Sequence, residues 1–337
     1  MSKKIRWGVL GAAKIALTKV VPAMQQGTYS EIVAIASRDS EKAKKAARDS
    51  DIPKFYGSYE ELLADKEIDA IYNPLPNNLH VLWTIKAAEA GKHVLCEKPI
   101  AMTTEEARKL IETRDRTGVK IQEAFMVRTH PQWLVARDLL RKERIGKLQA
   151  ITGFFSYFND DVSNIRNKPE TGGGALMDIG CYCINISRFI FEDEPKRVSS
   201  LIERDENTGI DKLTSAMLDF PKGQAAFTCS TQLVPYQRIQ IFGSTGRIEV
   251  EIPVNIPVDR PTRIFVDNGA DLFGGNVETI EVPAVNQYTI QGDLFSQAIL
   301  ENTEQPILLE DSLKNTAVIE AVFRAAETGK WETPANF

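Results

Sequence analysis

Lys98, Asp178 and Tyr182 are the residues of this chain whose types and settings best suit acid–base chemistry. Lys98 stands in the tripeptide Glu97-Lys98-Pro99, after the apolar run His93-Val94-Leu95-Cys96 and before the helix start Thr103-Thr104-Glu105-Glu106. The run reads as a buried parallel strand, and a lysine at its carboxyl end lies where open α/β sheets bind ligands. Asp178 and Tyr182 are four residues apart, on one face of a helix announced by Gly172-Gly173-Gly174. Three glycines let the backbone approach a neighbour closely. The plain alternatives are a solvated loop for Lys98 and a core tyrosine with a satisfied hydroxyl for Tyr182.

The elements that must position Lys98 alternate regularly. Strand-like runs at Ile5–Leu10, Ile32–Ala36, Asp69–Tyr72, His93–Cys96 and Val119–Gln122 are separated by helical patterns. Ser58-Tyr59-Glu60-Glu61 has the spacing of a capping box, and Gly91 and Gly329 read as helix ends. Alternation of this kind predicts a doubly wound parallel sheet over residues 1–122. The first turn, Gly11-Ala12-Ala13-Lys14-Ile15-Ala16, puts Gly11, Ala13 and Ala16 where a dinucleotide fingerprint wants glycines. Alanine suits the third position and is unusual at the second. Placement after the first strand and before the first helix supports dinucleotide binding, with helix-start N–H groups facing the pyrophosphate.

The end of the second strand bears on the choice of nicotinamide cofactor. An acid there accepts hydrogen bonds from the ribose hydroxyls and repels a 2′-phosphate. This chain has Ser37 followed by Arg38, a hydroxyl and a guanidinium that suit a phosphate. Asp39 complicates the reading, and Ser37 to Ser40 also reads as a plain helix cap. NADP(H) is expected over NAD(H), with NAD(H) still admitted.

After Glu123 the alternation stops. A helix over Pro131–Arg141 precedes strand-like runs at Ala150–Phe158, Arg197–Ile202, Leu213–Phe220, Ala225–Ser230, Arg238–Phe242, Arg247–Val250 and Arg263–Val266. Helical spacing returns at Gly292–Leu300 and Asp311–Glu327. The second domain, 123–337, is thus expected to be α+β with a large open, mainly antiparallel sheet. Its few helices can cover one face, and subunit pairing would cover the other.

Composition narrows the class. At 337 residues, 43% apolar and 26% charged, the chain has globular composition and length for two domains. A net charge of −5 gives no electrostatic case for nucleic acid or an anionic membrane. Cys96, Cys181, Cys183 and Cys229 form no CxxC pair, and with three histidines no zinc site is expected. The start Met1-Ser2-Lys3-Lys4-Ile5 enters a strand without a signal-peptide core, and no apolar run approaches the roughly 20 residues of a membrane span. A soluble cytoplasmic protein is expected.

Two longer segments, Ala88-Glu89-Ala90-Gly91-Lys92-His93-Val94-Leu95-Cys96-Glu97-Lys98-Pro99 and Gly172-Gly173-Gly174-Ala175-Leu176-Met177-Asp178-Ile179-Gly180, make the chain resemble the Gfo/Idh/MocA oxidoreductases. The resemblance covers nearly the whole chain. It implies a Rossmann domain followed by an open-sheet domain, NAD(P) held between them, and dimers or tetramers formed through the sheets. Lys98 matches the family's lysine beside nicotinamide and substrate, and Asp178 matches its aspartate. Many members carry histidine where this chain carries Tyr182, which resembles the branch of glucose–fructose oxidoreductase, NADP-dependent D-xylose dehydrogenases, dimeric dihydrodiol dehydrogenases and some sugar ketoreductases. Ser37-Arg38, Pro74-Leu75-Pro76-Asn77, Leu79-His80 and Phe125-Met126-Val127-Arg128-Thr129-His130-Pro131 are similar to that branch too. The implied cofactor contacts are Gly11, Ala12, Ala13, Lys14, Ile15, Ser37, Arg38, Pro74, Leu75, Asn77, His80, Glu97 and Lys98. Arg128 and Arg166 join them as contacts to cofactor or substrate.

The expected activity is hydride transfer between nicotinamide and a carbinol or carbonyl carbon of a sugar or sugar derivative. Such a step needs a proton acceptor on the hydroxyl, and Tyr182 could serve, with a nearby cation favouring tyrosinate. Lys98 is the candidate cation, Asp178 would orient it or bind a sugar hydroxyl, and Glu97 reads as an orienting carboxylate. Two other readings stand beside this one: a trans-dihydrodiol dehydrogenase acting on non-sugar diols, and a non-catalytic nucleotide-binding sensor of the same fold.

Overall fold

The computed structural model describes residues 3–337 and divides into two compact units, Met1–Met126 with Asn286–Leu313, and Val127–Val285 with Lys314–Phe337. The first unit runs β1 (Ile5–Leu10), a π-helical turn (Ala16–Val20) leading into α1 (Val21–Gln25), β2 (Ser30–Ala36), α2 (Ser40–Asp49), β3 (Lys54–Tyr56) and α3 (Tyr59–Ala64). It continues through β4 (Ala70–Asn73), α4 (Asn77–Glu89), β5 (His93–Cys96), α5 (Thr104–Thr117) and β6 (Ile121–Glu123). The sheet order is β3-β2-β1-β4-β5-β6, every pair parallel. Helices pack on both faces, so β4 is buried along its whole length and β5 along most of it. The sheet therefore hides its strands and offers the loops at their carboxyl ends. Local signals match the elements: Ser58 accepts from Glu61 N–H, Thr103 accepts from Glu106 N–H, and Gly91 adopts φ +74° just past α4.

The chain returns to this unit late. In α8 (Gln287–Leu300) Phe295 lies 5.9 Å from the Trp7 ring, and Trp7 Nε1 donates to Ser296 Oγ at 3.1 Å. Asp293 accepts from the backbone of Thr28 and Tyr29, and Gln305 donates to Ile121 O.

The second unit contains α6 (Pro131–Arg141), β7 (Leu148–Phe158), a π-helical turn (Leu176–Gly180) and α7 (Cys181–Phe191). Then come β8 (Arg197–Arg204), β9 (Asp211–Phe220), β10 (Gly223–Ser230), β11 (Gln232–Gly243), β12 (Arg247–Val250), β13 (Thr262–Asp267) and β14 (Glu278–Val282). The closing helix α9 (Leu309–Thr328) begins in the first unit and continues into the second. The sheet order is β14-β13-β12-β11-β7-β10-β9-β8. All pairs are antiparallel except β7 with β10, because β7, first in sequence, lies inside the sheet between β11 and β10. Alternation along β9 and β10 buries Ala216, Leu218, Phe220, Ala225, Phe227 and Cys229 on one face. α7 is buried at every residue and mostly apolar, with Arg188 hydrogen-bonded to Glu194. The other sheet face is open and carries a groove of about 530 Å³ flanked by Leu201 and Met217. All four cysteines are buried thiols outside any disulfide.

Candidate active site

In the first unit β1 ends at Gly11, whose N–H donates to Ala36 O at 2.8 Å. Its φ of +83° requires glycine, and a Cβ there would stand 3.0 Å from Leu75 Cδ2. The turn is thus packed against the Pro74-Leu75 segment that follows β4. Ala12, Ala13, Lys14 and Ile15 open the helix and stay accessible. Helix-start N–H groups lack intrahelical acceptors, so this cradle fits a pyrophosphate.

At the end of β2, Ser37 is buried and its Oγ accepts from Asp39 N–H, while Arg38 is exposed. The Asp39 carboxylate caps α2, accepting from Lys42 N–H at 3.1 Å. Burial pushes the Tyr59 hydroxyl pKa up, while the charge and hydrogen bond of Arg38 draw it down. Arg38 is therefore the accessible charged group of this loop, and Asp39 is engaged as a cap.

Past β5 the chain has no regular structure until α5, yet side chains hold it firmly. Glu97 N–H donates to Asn73 O, and Glu97 Oε1 accepts the Tyr72 hydroxyl at 2.7 Å. Burial, then the Glu97 charge, push the pKa of Tyr72 and of Tyr288 upward, so both hydroxyls stay protonated. Lys98 is half-buried, and the Lys98–Pro99 peptide is cis. His80 is 1% exposed, with Nε2 2.6 Å from Leu75 O and Nδ1 2.8 Å from Pro99 O. Burial holds its pKa down at about 4, so at neutral pH the ring carries one N–H, which donates to one of the two carbonyls at a time. Asn77 occupies the first turn of α4, beside this segment.

In the second unit, Gly174 has φ +114°, and a Cβ there would lie 1.9 Å from Asp211 Oδ1; one on Gly173 would lie 2.4 Å from Arg166 O. What the glycines admit is the protein's own Asp211 and Arg166 backbone. Asp211 is 2% exposed and accepts from Leu176 N–H at 2.6 Å, capping the helix that carries Asp178 and Tyr182. Asp178 Oδ2 accepts from Tyr157 Oη at 2.5 Å and Arg166 Nε at 3.0 Å. Tyr182 is buried, its ring 6.3 Å from Phe155. The helix face linking Asp178 to Tyr182 includes the π-helical turn, a feature that recurs at functional sites. Arg128 lies along α7, its guanidinium 4.5 Å from the Phe189 ring centre and 3.4 Å from Asn185 Oδ1.

The expected residues thus fall into definite groups. Gly11, Leu75, His80 and the Glu97-Lys98-Pro99 loop form one connected set in the first unit. Asp178 and Arg166 form another in the second, with Tyr182 one turn beyond and Arg128 packed against Asn185 and Phe189 further along that helix. Tyr157, Tyr72 and Glu123 were not singled out from the sequence; each lies far along the chain from its partner or inside a strand, where no local motif marks it.

A family model described as an oxidoreductase family with an NAD-binding Rossmann fold matches residues 5–125, and one for the GFO/IDH/MocA C-terminal domain matches residues 133–249. The chain is 48% identical over 330 residues to uncharacterized oxidoreductase ORF334 of Rhizobium meliloti, covering 98% of this chain and 99% of that protein. It is 35% identical over 327 residues to a D-xylose 1-dehydrogenase (NADP(+)) of Haloferax volcanii, covering 96% and 98%. Among solved structures it matches KijD10, a 3-ketoreductase from Actinomadura kijaniata in complex with NADP and TDP-benzene, at TM-score 0.90 and 28% identity, covering 96% and 98%.

Proposed function

The chain belongs to the GFO/IDH/MocA oxidoreductase family, and from that membership we propose that it interconverts a carbinol and a carbonyl on a sugar or sugar derivative, with NADP(H) preferred over NAD(H). The observation that carries the reading is a continuous chain of contacts. Leu75 meets Gly11, Leu75 O meets His80, and His80 meets Pro99 O, so the cofactor turn and the lysine loop are tied together. Ser37 and Arg38 offer a hydroxyl and a guanidinium to a 2′-phosphate, and Asp39 is occupied as a helix cap. Two of the proteins named above, a D-xylose 1-dehydrogenase and a 3-ketoreductase bound to NADP and TDP-benzene, support the sugar class.

When bound, the nicotinamide supplies the hydride acceptor or donor at its C4. The chain's own residues manage the proton. Tyr182 takes it from the substrate hydroxyl in oxidation and returns it in reduction. The Lys98 ammonium polarises the substrate oxygen. Asp178, fixed by Tyr157 and Arg166, binds a sugar hydroxyl of the substrate. Glu97, held by Tyr72, fixes the lysine loop. The same reading takes the open face of the eight-stranded sheet, with Leu201 and Met217 beside its groove, as the pairing surface of a homodimer or homotetramer.

The test is a panel of aldoses, ketosugars and arene dihydrodiols assayed with NADP(H) and NAD(H). Sugar turnover with NADP(H) is expected. Turnover confined to dihydrodiols would replace the substrate class, and tight NADPH binding without any turnover would make the protein a sensor.

A further inference from the structure

One peptide group beside Lys98 is held at both poles by buried side chains. The carbonyl of Pro99 faces His80 Nδ1 at 2.8 Å, and the N–H of Ile100 donates to Glu123 Oε1 at 2.9 Å. Both atoms belong to the single peptide unit joining Pro99 to Ile100. His80 and Glu123 are each 1% exposed and come from different elements, α4 and the end of β6. Each is anchored in turn. The carbonyl of His80 accepts from Asn73 Nδ2, and Ala124 N–H ties the end of β6 to Cys96 O.

In the Nδ1–H tautomer the polarity is complementary, with the ring N–H at the negative end of the peptide dipole and a carboxyl oxygen at the positive end. A core needs no such pair, since apolar side chains of similar volume would fill both places without burying polar groups. The expense falls on a loop that has no regular secondary structure over residues 98–102.

We infer that His80 and Glu123 are positioning residues for the proposed reaction, gripping the Pro99–Ile100 peptide so that Lys98 is presented in one place. This rests on the reading of Lys98 as a catalytic lysine. In the resting protein the grip fixes the backbone on the carboxyl side of Lys98, while the Glu97–Tyr72 hydrogen bond fixes the other side.

The test compares Glu123→Leu, Glu123→Gln, His80→Leu and, as reference, Lys98→Met in the full chain. Three quantities are read: hydrogen exchange at the Ile100 amide in the protein without nucleotide, NADPH affinity by fluorescence, and kcat and KM on the best sugar. In Glu123→Leu, Ile100 exchange is expected to rise at least about tenfold as the local restraint is lost. In Glu123→Leu and His80→Leu, kcat is expected to fall by about a hundredfold, the scale of a 1 Å misplacement, and in Glu123→Leu NADPH affinity is kept. Glu123→Gln, whose amide oxygen still accepts from Ile100 N–H, recovers most of the kcat. Should Glu123→Leu not fold, Glu123→Asp, with its carboxylate drawn back by one methylene, carries the same expectation. The clamp is overturned by normal kcat in Glu123→Leu or Glu123→Asp while Lys98→Met is inactive. Equal loss in the Gln and Leu variants, or loss that merely follows NADPH affinity, also overturns it. Normal turnover in Lys98→Met would instead overturn the catalytic reading, and the positioning role with it.

Discussion

Tyr157 places its hydroxyl on the same Asp178 oxygen that accepts Arg166 Nε. Burial, then the Asp178 charge, push the Tyr157 pKa up, so this tyrosine stays protonated and acts as a donor. The second unit therefore separates two tyrosine roles, with Tyr157 holding the carboxylate and Tyr182 proposed to move the proton. Tyr157→Phe removes a charge-assisted hydrogen bond of about 1.5–3 kcal/mol. Urea unfolding is expected to show a loss of that order, with kcat reduced and not abolished. Unchanged stability and kcat would sever Tyr157 from Asp178.

Tyr182→Phe keeps the ring and removes the proton carrier. Turnover is expected to drop by at least about a hundredfold, the lower range for general acid–base catalysis. NADPH binding, followed by fluorescence, should be kept. Near-normal turnover would take Tyr182 out of the role.

Arg38 is the exposed cation of the β2 loop. Arg38→Ala is expected to raise KM for NADP(H) by about tenfold, on the scale of one charge-assisted hydrogen bond to phosphate, and to leave KM for NAD(H) nearly unchanged. Equal effects on both cofactors would mean that Arg38 contacts no 2′-phosphate.

The chain has three histidines, and burial, the largest cause in each, holds His80, His93 and His130 down at about 4. None should change charge between pH 5 and 8, so the kcat profile there should show no histidine inflection. The neutral ring is favoured by the fold. This stabilisation is complete above the unfolded value near 6.5 and is lost as pH falls from there through about 4. Proton NMR titration checks this directly, and a folded-state histidine titrating near 6.5 would contradict it.

Asp211 has the opposite sign. Burial raises its pKa to about 6, against weaker lowering by its hydrogen bonds from Leu176 N–H and Thr214 Oγ1. The fold binds this proton more tightly than the unfolded chain does, so its contribution to stability declines as pH rises from 3.8 through 6. Asp211→Asn removes that dependence. Thermal melts from pH 4 to 7 should show the variant gaining on the natural protein as pH rises, and a constant difference would reject the assignment.

Much of the first unit was legible because period and punctuation act locally. β–α alternation, the Ser58 and Thr103 caps and the Gly11 turn each need only a few neighbouring residues. β3 escaped notice as a three-residue edge strand, and β14, Glu-Thr-Ile-Glu-Val, because its charges hide a weak alternation. The parallel β7–β10 pair joins segments separated by α7 and two strands, and no turn signal announces it. Nor does any local signal mark Asn286–Leu313 as a return to the first unit. At the candidate site, Lys98, Asp178 and Tyr182 could be singled out by motif and spacing. Their supports could not, since Glu123 and Ile100, or Tyr157 and Asp178, meet only through strand register and helix packing. The π-helical turn at Leu176–Gly180 likewise depends on backbone geometry that side-chain spacing does not encode.

The late return of α8 to Trp7 also sets an order of assembly. During synthesis the first 126 residues leave the ribosome while Phe295, Ser296 and Gln305 do not yet exist. Trp7 then lacks the ring beside it and the acceptor for its indole N–H, and Ile121 O lacks its donor. Domains commonly fold in the order they are made. Here the whole second sheet is translated before the first domain receives its last pieces, so the domain that begins first is completed nearly last.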